Sequence, residues 1–285
     1  LIKGVLVRVD KKNRQASILM ASMWLLILFT ILAAAIYKMF SSQIAMSKRL
    51  QEMSLAYFMA RAAVIDAQKD LYFNEKNYTS LSQLKVLREQ EMNHGSFSYY
   101  FIDEESKLNI NRATEEMLSS IPGIDSRLAQ DISTSSLRPF TSIEELFRFD
   151  GLDPDDYLSF KDFLTVFGDG RINVNTASRE AFSFLGINES TINKIFSFRD
   201  GPDGVELTED DGVFESQSDI IPVLRDSFFL SLSEEEFLVS LLSAQRLDVK
   251  SQYYTLILNI KYLEKIIGKY AITITKETIV QWREF

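Results

Sequence analysis

Asp200, Asp203, Glu209, Asp210 and Asp211 are five carboxylates of one acidic loop. Such side chains supply the hard oxygen ligands that a divalent cation of the calcium type prefers, although their spacing is not that of an EF-hand. A second acidic group, Asp150, Asp153, Asp155 and Asp156, has a local reading of its own. Asp153 followed by Pro154 is the pattern of a helix start, with proline at the first helical position. The single histidine, His94 in MNHGS, reads as a loop residue rather than a base. The chain has no cysteine, so disulfides and thiolate metal sites are excluded. No phosphate-binding glycine loop, nucleophile elbow or zinc-protease motif occurs. No carboxylate pair stands in an apolar setting that would separate two pKa values. The chemistry-bearing residues therefore point away from an enzyme and towards binding or scaffolding.

The elements that must carry these residues begin with a hydrophobic span. Residues 16–37, ASILMASMWLLILFTILAAAIY, contain no charge. As a helix they extend roughly 33 Å, enough to cross a hydrocarbon core of roughly 30 Å. Lys3, Arg8, Lys11, Lys12 and Arg14 precede the span against Asp10 alone, which places the N-terminus in the cytoplasm and exports the remainder. A buried core helix would show a polar stripe, and none interrupts the run. A secretory signal cleaved near Ala33-Ala34-Ala35 is the rival reading, but the run exceeds the usual length of a signal core. From Ser41 to Tyr72 there is no Pro or Gly, and Ile44, Leu50, Met53, Tyr57, Val64, Ala67 and Leu71 recur at helical spacing. One helix from about Ser17 to Tyr72 is expected, its first half in lipid and its second half on a soluble domain.

FSYYFI at 97–102 reads as a strand, 103–106 as a turn, and 107–110 as the returning strand of a hairpin. QYYTLILNIKYL at 252–263 and KYAITITKETIVQW at 269–282 read as two more strands, with Gly268 as punctuation between them. The region between these strands repeats itself. Asn109, Asn111 and Ala113 reappear 64 positions later as Asn173, Asn175 and Ala177. In each copy an apolar helix follows, then a glycine (Gly123 or Gly186), then a second helix, which is a helix–hairpin–helix unit. Asn111 and Asn175 are expected to cap the first helix of each unit, Asp153 a later helix, and Ser233 with Glu236 to form a capping box. A DNA-binding hairpin needs basic residues near its turn. Here the position after Gly-Ile is Asp125 or Asn188, and residues 103–170 carry 15 acidic against 6 basic side chains. With a net charge of −9, the chain is not expected to bind nucleic acid. The fold class expected is α+β: a long N-terminal transmembrane helix and an antiparallel sheet interrupted by an inserted all-α domain of duplicated helix–hairpin–helix modules.

Assembled, these features resemble the K-type minor pseudopilin of the bacterial type II secretion system. The likeness rests on FIDEESKLNIN at 101–111, INVNTA at 172–177 and VQWRE at 280–284. It implies a pilin-like sheet and a basic leader, residues 1–16, cut by a prepilin peptidase between Ala16 and Ser17, with methylation of the new terminus. Alanine stands at position 16, where the family usually has glycine. The domains implied are a transmembrane segment at 17–40, pilin-like parts at 41–110 and 249–285, and the insertion at 111–248 with halves at about 108–170 and 171–248. Mature position five is Ala21, where most pilins carry glutamate. A lone carboxylate in lipid is costly, and a filament-tip subunit has no neighbour above it to neutralise one. The resemblance thus implies a tip subunit in the bacterial inner membrane, its C-terminal domain periplasmic, assembled with I- and J-type minor pseudopilins and the major pseudopilin. It also implies calcium at the loop bearing Asp200, Asp203, Glu209, Asp210 and Asp211. The alternative from another class is a membrane-anchored DNA receptor of the competence type.

Overall fold

A computed structural model describes residues 11–285 apart from Glu75 and His94, so the readings for residues 1–10 and for His94 lie outside the described residues. The chain divides into two units, residues 1–55 and 56–285. Helix α1 (Lys11–Phe73) is unbroken, as the absence of Pro and Gly after Ser41 requires. In the first unit the side chains of residues 18–40 are exposed, Leu19 at 73% and Trp24 at 67%. This helix is long and apolar enough to cross a membrane.

In the second unit, Ala56, Met59, Ala60, Ala63, Val64, Ala67 and Leu71 form the buried side of α1. Four alanines on that side permit a close approach to the sheet. After α2 (Leu81–Leu84) come β1 (Arg88–Met92) and β2 (Gly95–Asp103). β3 (Leu108–Asn109), α3 (Glu115–Ser119), α4 (Ser126–Thr134), α5 (Pro154–Phe160) and β4 (Leu164–Thr165) make the first half of the insertion. β5 (Ile172–Asn173), α6 (Arg179–Phe184), α7 (Glu189–Arg199), α8 (Ile220–Ser227), α9 (Leu232–Ser243) and β6 (Leu247–Asp248) make the second. The chain then returns to the sheet as β7 (Tyr254–Tyr262), β8 (Lys265–Ile274) and β9 (Ile279–Glu284).

The sheet is antiparallel, in the order β1-β2-β7-β8-β9. Its central pair, β2 with β7, runs in register from Asp103↔Tyr254 to Gly95↔Tyr262, so the whole insertion enters and leaves at one end of two neighbouring strands. Phe97, Tyr99 and Phe101 on β2, with Leu256, Leu258 and Ile260 on β7, alternate into the core as a strand with one buried face requires. Tyr99 donates its hydroxyl to Asp66 of α1 at 2.9 Å, and the Gln68 amide of α1 donates to the Thr275 carbonyl at 3.3 Å.

Three local expectations are corrected. Residues 107–110 do not return along β2; β3 pairs in parallel with β4, because Leu108 and Ile110 are buried in the core of the insertion. The reversal after β7 is made by Leu263 and Glu264, at φ 47° and 62°, a two-residue turn of the mirror-image type without glycine. Gly268 lies within β8 instead. A Cβ there would come 2.8 Å from Tyr270 and 3.2 Å from the Ala56 Cβ, so glycine serves the close contact between helix and sheet. Residues 269–282 are not one strand but the end of β8 and most of β9. Edge strand β1, REQEM, is polar apart from Met92 and has no alternating apolar signal; charged residues are a usual protection for an edge.

Candidate functional site

Each half of the insertion is closed by its own short parallel pair, β3 with β4 and β5 with β6. Both halves share one apolar core running from Leu108 to Val249. The Asn-x-Asn signature does the same work in both. Asn109 Oδ1 accepts from the Asn111 N–H at 2.8 Å, and Asn173 Oδ1 from the Asn175 N–H at 3.0 Å. The second asparagine does not cap the following helix, which is a correction. Thr114 and Ser178 are the N-caps. Asn111 instead pairs with both backbone groups of Phe140, at 2.7 and 2.9 Å, and Asn175 with both of Phe214, each at 2.9 Å. The amide imitates a strand neighbour and ties the first helix–hairpin–helix to the segment beyond it. Arginines complete the likeness from unequal positions. Arg138 donates to the Ile110 and Ala113 carbonyls, and Arg199 to the corresponding Val174 and Ala177 carbonyls.

Because Asn175 is buried and Asn111 only partly so, Asn175→Ala should cost about 2–3 kcal/mol and Asn111→Ala about 1 kcal/mol. Chemical denaturation of the two variants checks this order; equal losses would contradict it.

The hairpin turns are held by Gly123 at φ +85° and Gly186 at φ +80°, a backbone region where a side chain is strained. Asp125 Oδ1 then accepts from the Leu128 N–H at 2.7 Å, and Asn188 Oδ1 from the Thr191 N–H at 2.8 Å. The helix N-terminus that could hold a phosphate is thus occupied by the chain's own side chain in both copies. Asp153 caps α5 with Pro154 at its start. The capping box of α9 is Ser231 with Glu234, not Ser233 with Glu236. The run SLSEEE offers both frames, and tertiary contact selects one, since Glu234 also receives Lys194 at 2.7 Å and Ser190 at 2.8 Å. Burial opposes ionisation of Glu234, but Lys194 and hydrogen bonds from Ser231 and Ser190 outweigh it and bring its pKa down to about 2.

The place where sheet and insertion join is the most polar part of the interior. Asp103, Glu104 and Glu105 are all buried. Asp103 Oδ2 accepts from Thr176 Oγ1 at 2.6 Å, Ser251 Oγ at 2.6 Å and Asn173 Nδ2 at 3.0 Å, while Oδ1 accepts from the Glu105 N–H at 2.9 Å. Asn173 also donates to the Thr79 carbonyl at 3.2 Å. In the second copy, then, the first asparagine reaches out of its own half to the strand end and the segment after α1. Its counterpart Asn109 donates to Phe167 and Gly168 within its half. Glu104 accepts from Thr255 at 2.6 Å, Thr165 at 2.8 Å and Lys107 at 3.1 Å. Burial pushes the Asp103 pKa up against the pull of its hydrogen bonds. Burial also raises Glu105 to about 7, with the Gln252 N–H opposing and Asp103 and Asp169 adding to the rise. Thr79, Thr176 and Ser251 had no recognisable sequence signal. The three successive acids after an aromatic strand were the one available hint.

The remaining candidate residues lie apart from this junction. Ala16 and Ser17 are within α1, and Ala21 is exposed. The five loop carboxylates do not share one point. Asp203 Oδ1 accepts from the Val205 N–H, Asp210 Oδ2 from the Asp203 N–H, and Asp211 Oδ2 from the Leu207 N–H, while Glu209 is exposed. Among the described residues no three His, Cys, Asp or Glu side chains are placed to hold a metal ion. Asp200 Oδ1 is buried without a partner. It belongs to a small cavity that Glu206 and Asp211 also line, beside the Arg199 guanidinium. Burial raises the Asp200 pKa, Arg199 lowers it, and Glu206 and Asp211 raise it further.

Residues 103–165 match the family model of the helix-hairpin-helix motif. No curated protein matches the chain. Among solved structures, it is similar to a chain in the crystal structure of the GspK-GspI-GspJ complex from the enterotoxigenic Escherichia coli Type 2 Secretion System. Sequence identity is 13% and the TM-score 0.59, over 85% of this chain and 98% of that one. At that identity the likeness is one of architecture: this chain has an α+β pilin-like fold, with a long N-terminal helix and a helical domain inserted between two adjacent strands of its sheet.

Proposed function

We propose that this protein is a minor pseudopilin of a type II secretion system, a structural subunit at the tip of the pseudopilus. The observation that carries the reading is the fully exposed apolar stretch of α1 joined to a pilin-like sheet with this insertion. Exposed apolar surface on that scale needs lipid or the helices of other subunits to cover it. In the proposal the helix starts in the inner membrane, N-terminus cytoplasmic, and is drawn into a bundle with I- and J-type minor pseudopilins and the major pseudopilin. Alanine at position 21 suits a subunit with no neighbour above it, and the insertion forms a bulky end. Nothing in the two hairpins favours the DNA-receptor alternative, since Asp125 and Asn188 take up the anion-binding N–H groups.

The test is the intact mass and N-terminal sequence of the chain expressed with and without a prepilin peptidase. A product beginning at Ser17 and methylated is expected only when the peptidase is present. An uncut chain, or cleavage near Ala35, would overturn the reading.

Calcium at the acidic loop belongs to this proposal through the resemblance, supported by the unpaired Asp200 Oδ1. Ligand at a hundred times its Kd stabilises by about 2.7 kcal/mol, or about 5 °C in Tm. A rise of that order on adding calcium, absent in Asp200→Asn, is expected. An unchanged Tm would remove the ion from the proposal.

A further inference from the structure

Between Phe58 and Phe73, helix α1 is apolar on two opposite sides. One side is buried on the sheet. The other carries Phe58, Ile65, Tyr72 and Phe73, exposed at 66%, 65%, 69% and 67%. At about 100° per residue these four lie within an arc of about 100°. Large apolar residues scattered singly need no explanation, but a row repeating every seven positions is the seam of a helix pair.

The charges of the same stretch are sorted by side. Asp66 and Asp70 are engaged with the sheet, Asp66 by the Tyr99 hydroxyl at 2.9 Å and Asp70 by the Arg88 guanidinium. Lys69 is exposed within this arc and Arg61 is exposed about 20° beyond its edge, and among the described residues neither makes an ion pair or hydrogen bond. In a chain of net charge −9, the outer arc is therefore apolar, with one cation within it, a second at its border and no exposed anion of its own.

We infer that the outer face of α1 from Phe58 to Phe73 is the docking surface for a helix of a different protein, one whose apolar seam is flanked by aspartate or glutamate. A second copy of this chain does not fit. Paired in either direction, two such faces bring four cations together and no carboxylate to neutralise them. An anionic membrane fits less well than a helix. Lys69 projects close to the middle of the arc, about 20° from Phe58, where a lipid-facing helix would drive its ammonium into the acyl region. Against a partner helix the same ammonium reaches a carboxylate at the edge of the seam. The inference deepens the assembly reading by naming the chemistry of a partner.

The full chain, reconstituted in phosphatidylcholine nanodiscs, provides the test. With no native cysteine, Phe73→Cys takes a single environment-sensitive fluorophore at the edge of the arc. The probes are two designed heptad peptides with the same leucine seam, one flanked by glutamate and one by lysine. The glutamate peptide should give a saturable blue shift with a Kd at least about fivefold below that of the lysine peptide, as two surface ion pairs would supply. Arg61→Glu combined with Lys69→Glu should reverse the preference, and Tm should stay unchanged because neither side chain has a partner within the fold. No shift with either peptide, or equal affinity for both, would overturn the inference. So would a shift produced by unlabelled chain, or by phosphatidylserine in the nanodisc without peptide. Peptidase cleavage does not enter the measurement. A chain processed at Ser17 that ignores the glutamate peptide would reject this surface and leave the pseudopilin reading standing.

Discussion

Replacing Asp103 by alanine is expected to lower the unfolding free energy of the full chain in detergent by about 3–5 kcal/mol, because it removes the shared acceptor of several buried donors. Four donors converge on its carboxylate: the Glu105 N–H, Thr176, Ser251 and Asn173. They come from the turn after β2, the second half of the insertion and the segment leading back to β7. Alanine would take this acceptor from all four, at a cost of about 1–3 kcal/mol for each donor left unpaired before relaxation. Relaxation is limited. Thr176 has only the Asn173 carbonyl at 3.5 Å as a second acceptor, and Asn173 only the Thr79 carbonyl and the Ser251 hydroxyl. The comparison is Asp153→Ala, an exposed helix cap whose loss should cost about 1 kcal/mol. Guanidinium denaturation of both variants measures the difference. A loss at Asp103 no larger than at Asp153 would show that the junction is not held by this carboxylate.

The second large effect is on pH dependence. Glu105 is buried, with a pKa raised to about 7. Between about 4.5, its ordinary value, and 7 the folded chain keeps a proton that the unfolded chain has released. Stability from this group is therefore complete below about 4.5 and is lost as pH rises through 7. The raised Asp103 acts with the same sign. Glu234, brought down to about 2, has released its proton in both states above about 5 and adds no slope there. The unfolding free energy should fall by up to about 3 kcal/mol between pH 5 and pH 8, at 1.36 kcal/mol per pKa unit. The measurement needs His94→Gln as its background, because the only histidine would otherwise titrate in the same window. Glu105→Gln removes the charge while keeping a carbonyl oxygen that can accept from the Gln252 N–H. It should flatten the profile and leave the chain more stable than its parent at pH 8. An unchanged slope would assign the pH dependence elsewhere.

What the sequence determined by itself is whatever repeats locally. The uncharged 22-residue run and the helical spacing beyond it specify α1, because periodicity of 3.6 and the absence of Pro and Gly are properties of consecutive residues. The aromatic and β-branched residues of FSYYFI and YYTLILNI specify β2 and β7 in the same way, and the 64-residue echo of Asn-x-Asn-x-Ala announces two equivalent modules. Only the tertiary structure decided which partner each polar side chain takes. Thr114 and Ser178 cap the helices for which Asn111 and Asn175 were the local candidates, since Phe140 and Phe214 offer those amides a complete backbone pair. Ser231 wins over Ser233 because Lys194 and Ser190 come from another helix to bind Glu234. The turn at Leu263–Glu264 and the polar strand β1 exist because their neighbours in the sheet hold them, not because their residues prefer those states. The acidic loop shows the same limit: Asp203, Asp210 and Asp211, close in sequence, accept from separate N–H groups of their loop. A buried donor or acceptor must find a partner within about 3 Å. That requirement is met by residues tens of positions away, so its outcome is set by the packed fold and not by the order of the chain.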